Sequence, residues 1–442
     1  MIGRQNRCQK TLFVAGSLDQ IIPDDHILKR VDRVLDLGWL RDEVRDCYCE
    51  YNGRPGIDPE SAVRLMLAGF FLGIVHDRKL MREAQVNMAI RWFAGYGLDE
   101  KLPDHSSLTR IRQRFGAERF KRIFLRSVKA CVEGGVVCGE TIHMDATLIR
   151  ADVSWESLTT AYAEATLSAN SLEELSSEEG SNPGEGSSPC RRGGGKKKER
   201  QKKRSLTDPD ASMTTTQKNW RLEPSYKQHT AVDDRAGVVV DVEVTTGEVN
   251  EGTKLMEMIE RVEEATGSKV ERVTADAGYG HPKNYQRLEE RGTEGIIPPQ
   301  RSNGRKVSMP LVRFKYDARH ETVRCPSGKK MRRISRVKNG WIYQGERRHC
   351  SVCTVRSSCV PSSAKVRTVL IVDGYPSLLR ARRARERWDE RVRNWYGRHR
   401  WRVEGVFGEA KTQHGLRRAV RRGLSNAVSY THLRAHETVL DL

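Results

Sequence analysis

A polar, low-complexity segment at residues 166–219 most limits how this chain can fold. Its first part is rich in Ser, Glu and Gly, and its second part contains the basic run KKKERQKKR. The segment has too few apolar residues to bury a core, so it predicts a disordered linker. Folded regions are therefore expected on both sides of it. The full length of 442 residues is enough for two or three domains.

The charge of the chain favours a polyanionic partner. There are 78 Lys and Arg residues against 58 Asp and Glu residues, which gives a net charge of +20. Clustered positive charge on this scale is typical of nucleic-acid binding, and the alternative is a basic surface without a partner. The basic run of the linker has the same two interpretations, contact with a DNA backbone or simple solvation.

No membrane-spanning segment is predicted. The longest near-continuous apolar run, residues 65–75, is 11 residues long, whereas a spanning helix needs roughly 20. The N-terminal sequence MIGRQNRCQK contains no apolar signal region. We therefore expect a cytoplasmic, nucleoid-associated protein with no membrane partner.

Residues 1–135 predict a helical domain. Asp58-Pro59 is typical of a helix start, and an apolar stretch over residues 62–75 follows it. Two further helical segments flank a turn at Gly116. The basic side chains of the first of these segments are Arg110, Arg112 and Arg114. This arrangement suits a helix-turn-helix-like contact with DNA, and it suits equally an ordinary helical bundle with a basic face.

Residues 138–165 and 220–300 predict a mixed α/β core that the linker interrupts. TIHMDATLI alternates between apolar and polar residues, which predicts a strand with His143, Asp145 and Thr147 on its polar side. The later elements are a hairpin with its turn at residues 233–237, a helix over 252–266, a buried strand ending at Asp276, a helix over 283–291 and a short strand at GIIPP. This order predicts a mixed sheet.

Three carboxylates are candidates for chemistry. Asp145 lies within a predicted strand and Asp276 ends another, where sites are common in α/β sheets, although a single Asp there is more often a cap or turn residue. In the Arg-rich helical region 376–427, about 100° per residue places Arg400, Glu404 and Lys411 on one stripe. The alternative role of Glu404 is a surface ion pair, which contributes little to stability.

Taken together, these segments resemble the DDE transposases of bacterial insertion sequences. That family has a helical N-terminal domain followed by an RNase H-like catalytic core. The similarity covers about residues 5–427 and includes IHMDATLIRADVSWESL, SLTDPDASM, LEPSYKQHTAVDD, VTTGEVNEG, VTADAGYGHPKNY and an R-x3-E-x6-K pattern at Arg400, Glu404 and Lys411. Related families place a tyrosine three residues before the arginine. Here Gly397 occupies that position and Tyr396 precedes it.

The resemblance implies a DNA transposase that binds insertion-sequence ends and catalyses Mg²⁺-dependent strand cleavage and strand transfer. Asp145, Asp276 and Glu404 would hold two Mg²⁺ ions, and Arg400 and Lys411 would bind DNA phosphates. Residues 1–135 would bind the DNA ends, and residues 376–427 would supply the catalytic helix. The partners would be double-stranded DNA, as transposon ends and target, and further copies of the chain, with at least a dimer on DNA.

Three questions stay open from the sequence. Glu409 competes with Glu404 as the third carboxylate, but it lies about 140° around the helix from it, which favours Glu404. A catalytically inactive DNA-binding relic of a transposase is one alternative function. An RNase H-fold nuclease that cuts without joining is another.

Residues 301–375 predict an insertion built around four of the ten cysteines. These four are Cys325, Cys350, Cys353 and Cys359, spaced C-x24-C-x2-C-x5-C. In a reducing compartment, this spacing favours a zinc-knuckle-like fold with a structural Zn²⁺ over disulfides. Four buried free thiols are the alternative, and His349 is a spare ligand. The fold would present Arg332, Arg333, Arg336 and Lys338 to DNA.

The last residues carry a different signal. VSYTHLRAHET, residues 428–438, resembles one reading frame of a widely used sequencing-library adaptor. We therefore predict that residues 428–442 are not native to the protein and assign them no function. A genuine polar tail is the alternative.

Overall fold

The computed structural model describes residues 16–49, 56–154, 205–215, 222–300 and 309–440. The chain divides into two compact units. Unit 1 consists of Met1–Ser127, Arg150–Ala211 and Glu409–Leu442, and unit 2 consists of Val128–Ile149 and Ser212–Gly408. Most of the predicted linker lies outside the described residues. No helix in the described ranges is long and apolar enough to cross a membrane.

The N-terminal part of unit 1 is helical, as predicted. The apolar stretch forms the helix that begins at Pro59, directly after Asp58, and the side chains of Val63, Leu65 and Leu67 on this helix are completely buried. Its N-terminal helices are α1 (Leu18–Ile21), α2 (Ile27–Val34), α3 (Leu40–Glu43), α4 (Pro59–Phe71), α5 (Asp77–Val86), α6 (Met88–Phe93) and α7 (His105–Glu133).

Helix α7 contains the predicted break at Gly116, whose φ of 71° and ψ of 172° separate two helical segments. The predicted basic face before this break is wrong for Arg112. Its side chain is buried, and two of its nitrogens donate to the Asp77 carboxylate at 2.6 and 2.7 Å. Arg421 contacts the same carboxylate. Because Arg112 is held inside the unit, it is not part of a basic surface.

The main sheet of unit 2 has the strand order β2-β3-β1-β5-β6, with β4 paired to β3. Strands β1, β5 and β6 run parallel, and β3 and β4 form the predicted hairpin. The strands are β1 (Thr141–Arg150), β2 (Ser212–Thr214), β3 (Glu223–Asp233), β4 (Val239–Thr246), β5 (Arg272–Ala275) and β6 (Glu294–Ile296). The mixed α/β prediction is therefore confirmed for this region.

One sequence prediction needs correction here. Strand β2 lies inside the segment predicted to be disordered, and it pairs with β3, so residues 205–215 belong to the folded protein. The polar side of β1, which lies between β3 and β5, is largely buried. His143 is completely buried, with its Nε2 2.9 Å from Asp234 Oδ1 and its Nδ1 2.6 Å from Thr274 Oγ1.

The cysteine-containing segment forms a second sheet, with the order β11-β10-β9-β8-β7 and antiparallel pairing throughout. Its strands are β7 (Lys315–Asp317), β8 (Thr322–Arg324), β9 (Lys330–Val337), β10 (Gly340–Gln344) and β11 (Thr368–Val372). The helices of unit 2 are α8 (Leu255–Thr266), α9 (Pro282–Arg291), α10 (Arg347–Ser351), α11 (Arg356–Cys359), α12 (Tyr375–Glu386) and α13 (Glu390–Thr412), the last of which ends in unit 1.

The final helix, α14 (Leu424–Leu440), contains most of the adaptor-like residues. It packs against α4 within unit 1. The Tyr430 ring lies 5.0 Å from the Phe70 ring, and the Tyr430 hydroxyl donates to the Val75 carbonyl at 2.8 Å. The non-native origin of these residues concerns the sequence alone and stays a prediction.

Candidate active site

The register of two parallel strands brings Asp145 and Asp276 together. The last paired residues of β1 and β5 are Met144 and Ala275, and each aspartate comes directly after one of them. Neighbouring strands lie about 4.8 Å apart. The two carboxylates are therefore adjacent at the C-terminal edge of β5, where sites commonly form in α/β sheets.

Each aspartate is oriented by a backbone donor. The Asp145 Oδ1 atom accepts from the Ala146 N–H at 2.7 Å. Asp276 caps a short 3-10 turn, Ala277–Tyr279, and its Oδ1 accepts from the Gly278 N–H at 2.7 Å. The side chains are thus fixed against the backbone, with their remaining oxygen lone pairs available to a ligand.

The electrostatics of Asp145 are unusual for a carboxylate. Burial raises its pKa to about 7, and although the Ala146 N–H opposes this shift, the negative charges of Asp276, Glu251 and Glu404 add to it. Removal from water and repulsion between like charges both disfavour the ionised form. A cation placed among these groups would reverse both effects.

Asp276 shows the same behaviour. Burial raises its pKa, and the Glu251 carboxylate raises it further. The backbone N–H groups at Gly278 and Tyr279 act in the opposite direction, as does the Lys227 ammonium. The balance is an upward shift of the pKa, in which burial contributes most and the neighbouring Glu251 carboxylate contributes next.

Glu404 lies on α13 and is more open than the two aspartates. Its side chain is 60% exposed, and its Oε2 accepts from Arg400 Nε at 3.1 Å, with Arg400 itself 78% exposed. The predicted surface ion pair is therefore present. Glu404 still contributes to the electrostatic environment of Asp145. Glu404 therefore lies near enough to Asp145 to act on it electrostatically. Its exposed side chain is less firmly fixed than those of the two aspartates.

The N-terminal and central parts of α13 are held on the sheet by both polar and apolar contacts. Arg398 pairs with the Asp234 carboxylate at 2.7 Å, and an Arg402 nitrogen donates to the Arg235 carbonyl at 2.9 Å. Val403 on the same helix is completely buried. The sequence pattern did not reveal these anchors, because their partners lie in the hairpin turn, far away along the chain.

The remaining predicted residues of this helix lie near its end. Lys411 is in the last turn of α13, and Glu409 is an exposed residue of the same helix. Tyr396 is half-buried and stacks on His399, with 5.8 Å between the ring centroids. Burial raises the pKa of Tyr396, and the Asp276 carboxylate adds to the shift. The tyrosine therefore faces the acidic edge although it is displaced by one residue from the family position.

Sequence reasoning missed Glu251. It starts the 3-10 turn Glu251–Thr253, and its Oε1 lies 3.1 Å from Lys227 Nζ. An ideal Cβ placed on Gly278 would lie 2.5 Å from Glu251 Oε2 and 2.8 Å from Asp276 Oδ1, so both carboxylates face the same point. The sequence feature that could have identified Glu251 is its position in VTTGEVNEG, one of the segments on which the resemblance to DDE transposases rests.

No metal-binding arrangement is complete in the described ranges. Among those residues, no group of three or more His, Cys, Asp or Glu side chains is placed closely enough to hold a metal ion. The carboxylates therefore form a cluster of negative charge rather than a finished coordination shell.

The four predicted cysteines do come together. Cys325, Cys350, Cys353 and Cys359 all line one cavity of about 40 Å³, together with His349. Burial raises the pKa of the Cys359 thiol, and the charges of the other three cysteines add to this shift. Cys325 begins a tight turn in which its carbonyl accepts from the Gly328 N–H at 2.8 Å. Their proximity is consistent with the predicted grouping, although their thiols do not form a ligand shell.

The four basic side chains that the sequence predicts to face DNA, Arg332, Arg333, Arg336 and Lys338, are all exposed. Arg336 makes two hydrogen bonds to Asp373, at 2.9 and 2.8 Å. Arg333 pairs with Glu321 and lies 3.4 Å from the centre of the Trp341 ring. These contacts fix both arginines on the second sheet, and their contact with DNA stays a prediction.

Two family models match the chain. Residues 16–114 match the Transposase domain (DUF772), and residues 197–436, more than half of the chain, match the Transposase DDE domain. The chain belongs to the transposase DDE domain family. The longer match includes Asp276 and Glu404, whereas Asp145 precedes it. The predicted resemblance to insertion-sequence DDE transposases is thereby confirmed for this transposase.

Solved structures add distant similarities. A piggyBac transposase synaptic complex with hairpin DNA is 10% identical, with a TM-score of 0.33, covering 94% of this transposase and 72% of that chain. A pre-cleavage Mos1 transpososome is 10% identical, with a TM-score of 0.17, covering 58% and 63%. A Mos1 mariner paired-end complex with Mn is 11% identical, with a TM-score of 0.17, covering 60% and 65%. No curated protein matches the chain.

Proposed function

We propose that this chain is an active insertion-sequence transposase that binds the element ends and catalyses Mg²⁺-dependent cleavage and strand transfer. The observation that carries the proposal is the placement of Asp145 and Asp276 directly after paired residues of two parallel strands. The strand order β4-β3-β1-β5-β6 supports an RNase H-like core. Glu404 would complete the catalytic set from α13.

The chemistry of these side chains fits a divalent metal. Carboxylate oxygens are the ligands that Mg²⁺ prefers. The raised pKa of Asp145 reflects its burial first and the negative charges of neighbouring carboxylates second, and a cation would neutralise those charges. When bound, two such ions would activate the attacking oxygen and stabilise the leaving oxygen. Asp145 and Asp276 would hold them from the rigid sheet, and Glu404 would exchange its contact with Arg400 for the metal.

The proposed reaction has two phosphoryl-transfer steps. In cleavage, a water oxygen attacks phosphorus at the element end, and the 3′ oxygen leaves and takes up a proton. In joining, the freed 3′ hydroxyl loses its proton and its oxygen attacks a target phosphorus, while the target 3′ oxygen leaves and is protonated. One phosphodiester bond forms for each that breaks in the joining step, so no nucleotide cofactor is needed.

Double-stranded DNA is the proposed partner, as element ends and as target. The net charge of +20 supports long-range attraction to DNA. Arg400, released from Glu404, and Lys411 on the same helix would bind phosphates beside the scissile bond. Residues 1–135 would contribute to end binding, and at least two copies of the chain would bring two ends together.

The test uses the purified full chain and labelled DNA carrying the inverted repeats that flank its coding sequence. We expect Mg²⁺-dependent cleavage that leaves a 3′ hydroxyl, followed by covalent joining to a target plasmid, with both steps abolished by EDTA. Cleavage without joining would support the nuclease alternative. Binding without cleavage in either Mg²⁺ or Mn²⁺ would support the inactive relic. Either result would overturn the proposal.

We also propose a structural Zn²⁺ ion at the four cysteines. The supporting observation is that all four thiols line one small cavity, with Cys325 in a tight turn. The thiols would have to rotate toward the cavity centre to form a tetrahedral site. Four protein ligands would fill the coordination shell, so this ion would stabilise the insertion and take no part in the chemistry.

The zinc proposal predicts a stability difference. The full chain should contain about one Zn²⁺ per molecule, and Cys353→Ser should lower this content and the melting temperature by roughly 5 °C or more. The matched control is Cys49→Ser, because Cys49 is exposed and lies outside the cavity. Metal analysis after expression in zinc-supplemented medium measures the content. A zinc-free protein, or equal loss in both variants, would contradict the proposal.

A further inference from the structure

The acidic edge of unit 2 contains a carboxylate that the family signature does not include. Glu251 Oε2 and Asp276 Oδ1 approach the same point beside Gly278, within 2.5 and 2.8 Å of an ideal Cβ placed there. The charge of Glu251 acts on both Asp276 and Asp145. By contrast, Glu404 is largely exposed and already paired with Arg400. Glu251 is therefore closely associated with the aspartate pair.

The position of Glu251 is fixed by side-chain hydrogen bonds that join two turns. Asn250 Oδ1 accepts from the Gly252 N–H at 3.0 Å and lies 2.8 Å from His281 Nε2. The Asn284 side chain donates to the Gly252 carbonyl at 2.7 Å and to the Tyr279 carbonyl at 3.0 Å. The turn that carries Glu251 is thereby clamped to the turn that follows Asp276, so the carboxylate does not sit on a freely moving loop.

A single lysine neutralises part of this charge. Lys227 Nζ lies 3.1 Å from Glu251 Oε1 and donates to the Val249 carbonyl at 2.9 Å. Its side chain is only 13% exposed. Lys227 pairs with Glu251 and its charge also acts on Asp276, whereas three carboxylates, those of Glu251, Asp276 and Asp145, interact electrostatically, so the cluster keeps an excess of negative charge. An additional cation would therefore be favourable at this place.

A buried hydroxyl independently marks a ligand position in this cluster. Tyr279 is completely buried, and its hydroxyl has no hydrogen-bond partner among the described residues. Burial raises the pKa of Tyr279 well above its ordinary value, and the charges of Asp145, Glu251 and Asp276 add to this shift, so the hydroxyl lies within electrostatic range of all three carboxylates. Buried hydroxyls are normally satisfied. A donor without an acceptor here points to an oxygen atom supplied by a ligand.

We propose that Glu251 is a fourth carboxylate of the metal centre, which binds a divalent cation together with Asp145 and Asp276, while Lys227 is its partner when no metal is bound. The inference rests on the proposed function, because it assumes that this centre binds metal. The Tyr279 hydroxyl would donate to an oxygen in the coordination sphere, either a metal-bound water or a phosphate oxygen.

The test measures Mn²⁺ binding to the full chain by calorimetry, without DNA. We expect Glu251→Gln to weaken Mn²⁺ binding at least tenfold, because the amide keeps the shape and loses the charge. Lys227→Met should tighten binding severalfold, because the metal no longer competes with the ammonium. The control is Glu257→Gln, an exposed residue on α8 that pairs with Lys254 at 2.8 Å.

Two outcomes would overturn the inference in distinguishable ways. If Asp276→Asn weakens Mn²⁺ binding but Glu251→Gln does not, the metal centre exists and Glu251 serves only as the ion-pair partner of Lys227. If neither variant changes Mn²⁺ binding, the proposed metal centre itself fails. If Glu251 and Lys227 serve only the local structure, Lys227→Met and Glu251→Gln should change the Mn²⁺ affinity in the same direction. That result would also contradict the proposal.

Discussion

Asp276→Asn is expected to lower the rate of DNA-end cleavage by about 10³-fold while leaving end binding unchanged. The reason is that Asn keeps the side-chain oxygen that caps the turn at Gly278, so the local fold is retained. What it loses is the negative charge that would hold the metal. Single-turnover cleavage of a labelled end measures the rate, and a mobility-shift titration measures binding.

The matched control for this experiment is Glu409→Gln. Glu409 is an exposed carboxylate on the same helix as Glu404, and the sequence left it as a competitor for the third position. We expect its cleavage rate to stay within about twofold of the unmodified chain, whereas Glu404→Gln should fall with Asp276→Asn. Normal activity of Glu404→Gln combined with loss in Glu409→Gln would reverse the assignment of the third carboxylate.

Asp145→Asn is expected to stabilise the metal-free protein at pH 8. Burial raises the folded-state pKa of this carboxyl from 3.8 to about 7. The folded state therefore binds the proton more tightly than the unfolded state, and the free energy of unfolding falls as the pH rises from about 4 to 7. Asp145→Asn removes this charge, so it should raise the free energy of unfolding by on the order of 2–4 kcal/mol above pH 7 and should not change it below pH 4.

Thermal melting in EDTA at pH 4 and pH 8 tests this expectation, with Glu264→Gln on the exposed side of α8 as the control. The melting temperature of Asp145→Asn should exceed that of the unmodified chain by about 5 °C or more at pH 8 only. Adding Mg²⁺ should stabilise the unmodified chain and leave the variant unchanged. An equal shift at both pH values would show that burial of the charge is not the cause.

The parts of the site that were predictable from sequence are those that follow a local pattern. Alternation and a buried run placed Asp145 and Asp276 on strands, and the resemblance to DDE transposases is what implied that they share a site. The break at Gly116 and the helix start at Asp58-Pro59 are likewise short-range signals. For each of these, the physical cause lies within a few residues of the feature.

The parts that were missed depend on partners far away in the chain. Arg112 has the pattern of a basic surface residue, yet it is buried because Asp77 lies opposite it. Glu251 lies in a loop without periodicity, and its turn is joined to the turn of Asp276 by tertiary contacts such as those of Asn250 with His281 and of Asn284 with the Gly252 carbonyl. Burial of a charge depends on the tertiary partner, which no single window of sequence contains.

The adjacency of Asp145 and Asp276 in strand register also bears on how the gene for this protein can change. Inserting or deleting one codon within β1 or β5 would turn one carboxylate to the opposite face of the sheet. Insertions between the strands leave the register unchanged, and the cost of lengthening a connection grows only slowly with its length. Relatives of this chain should therefore differ greatly in length between β1 and β2 and around the four cysteines. The lengths of β1 and β5 should vary little.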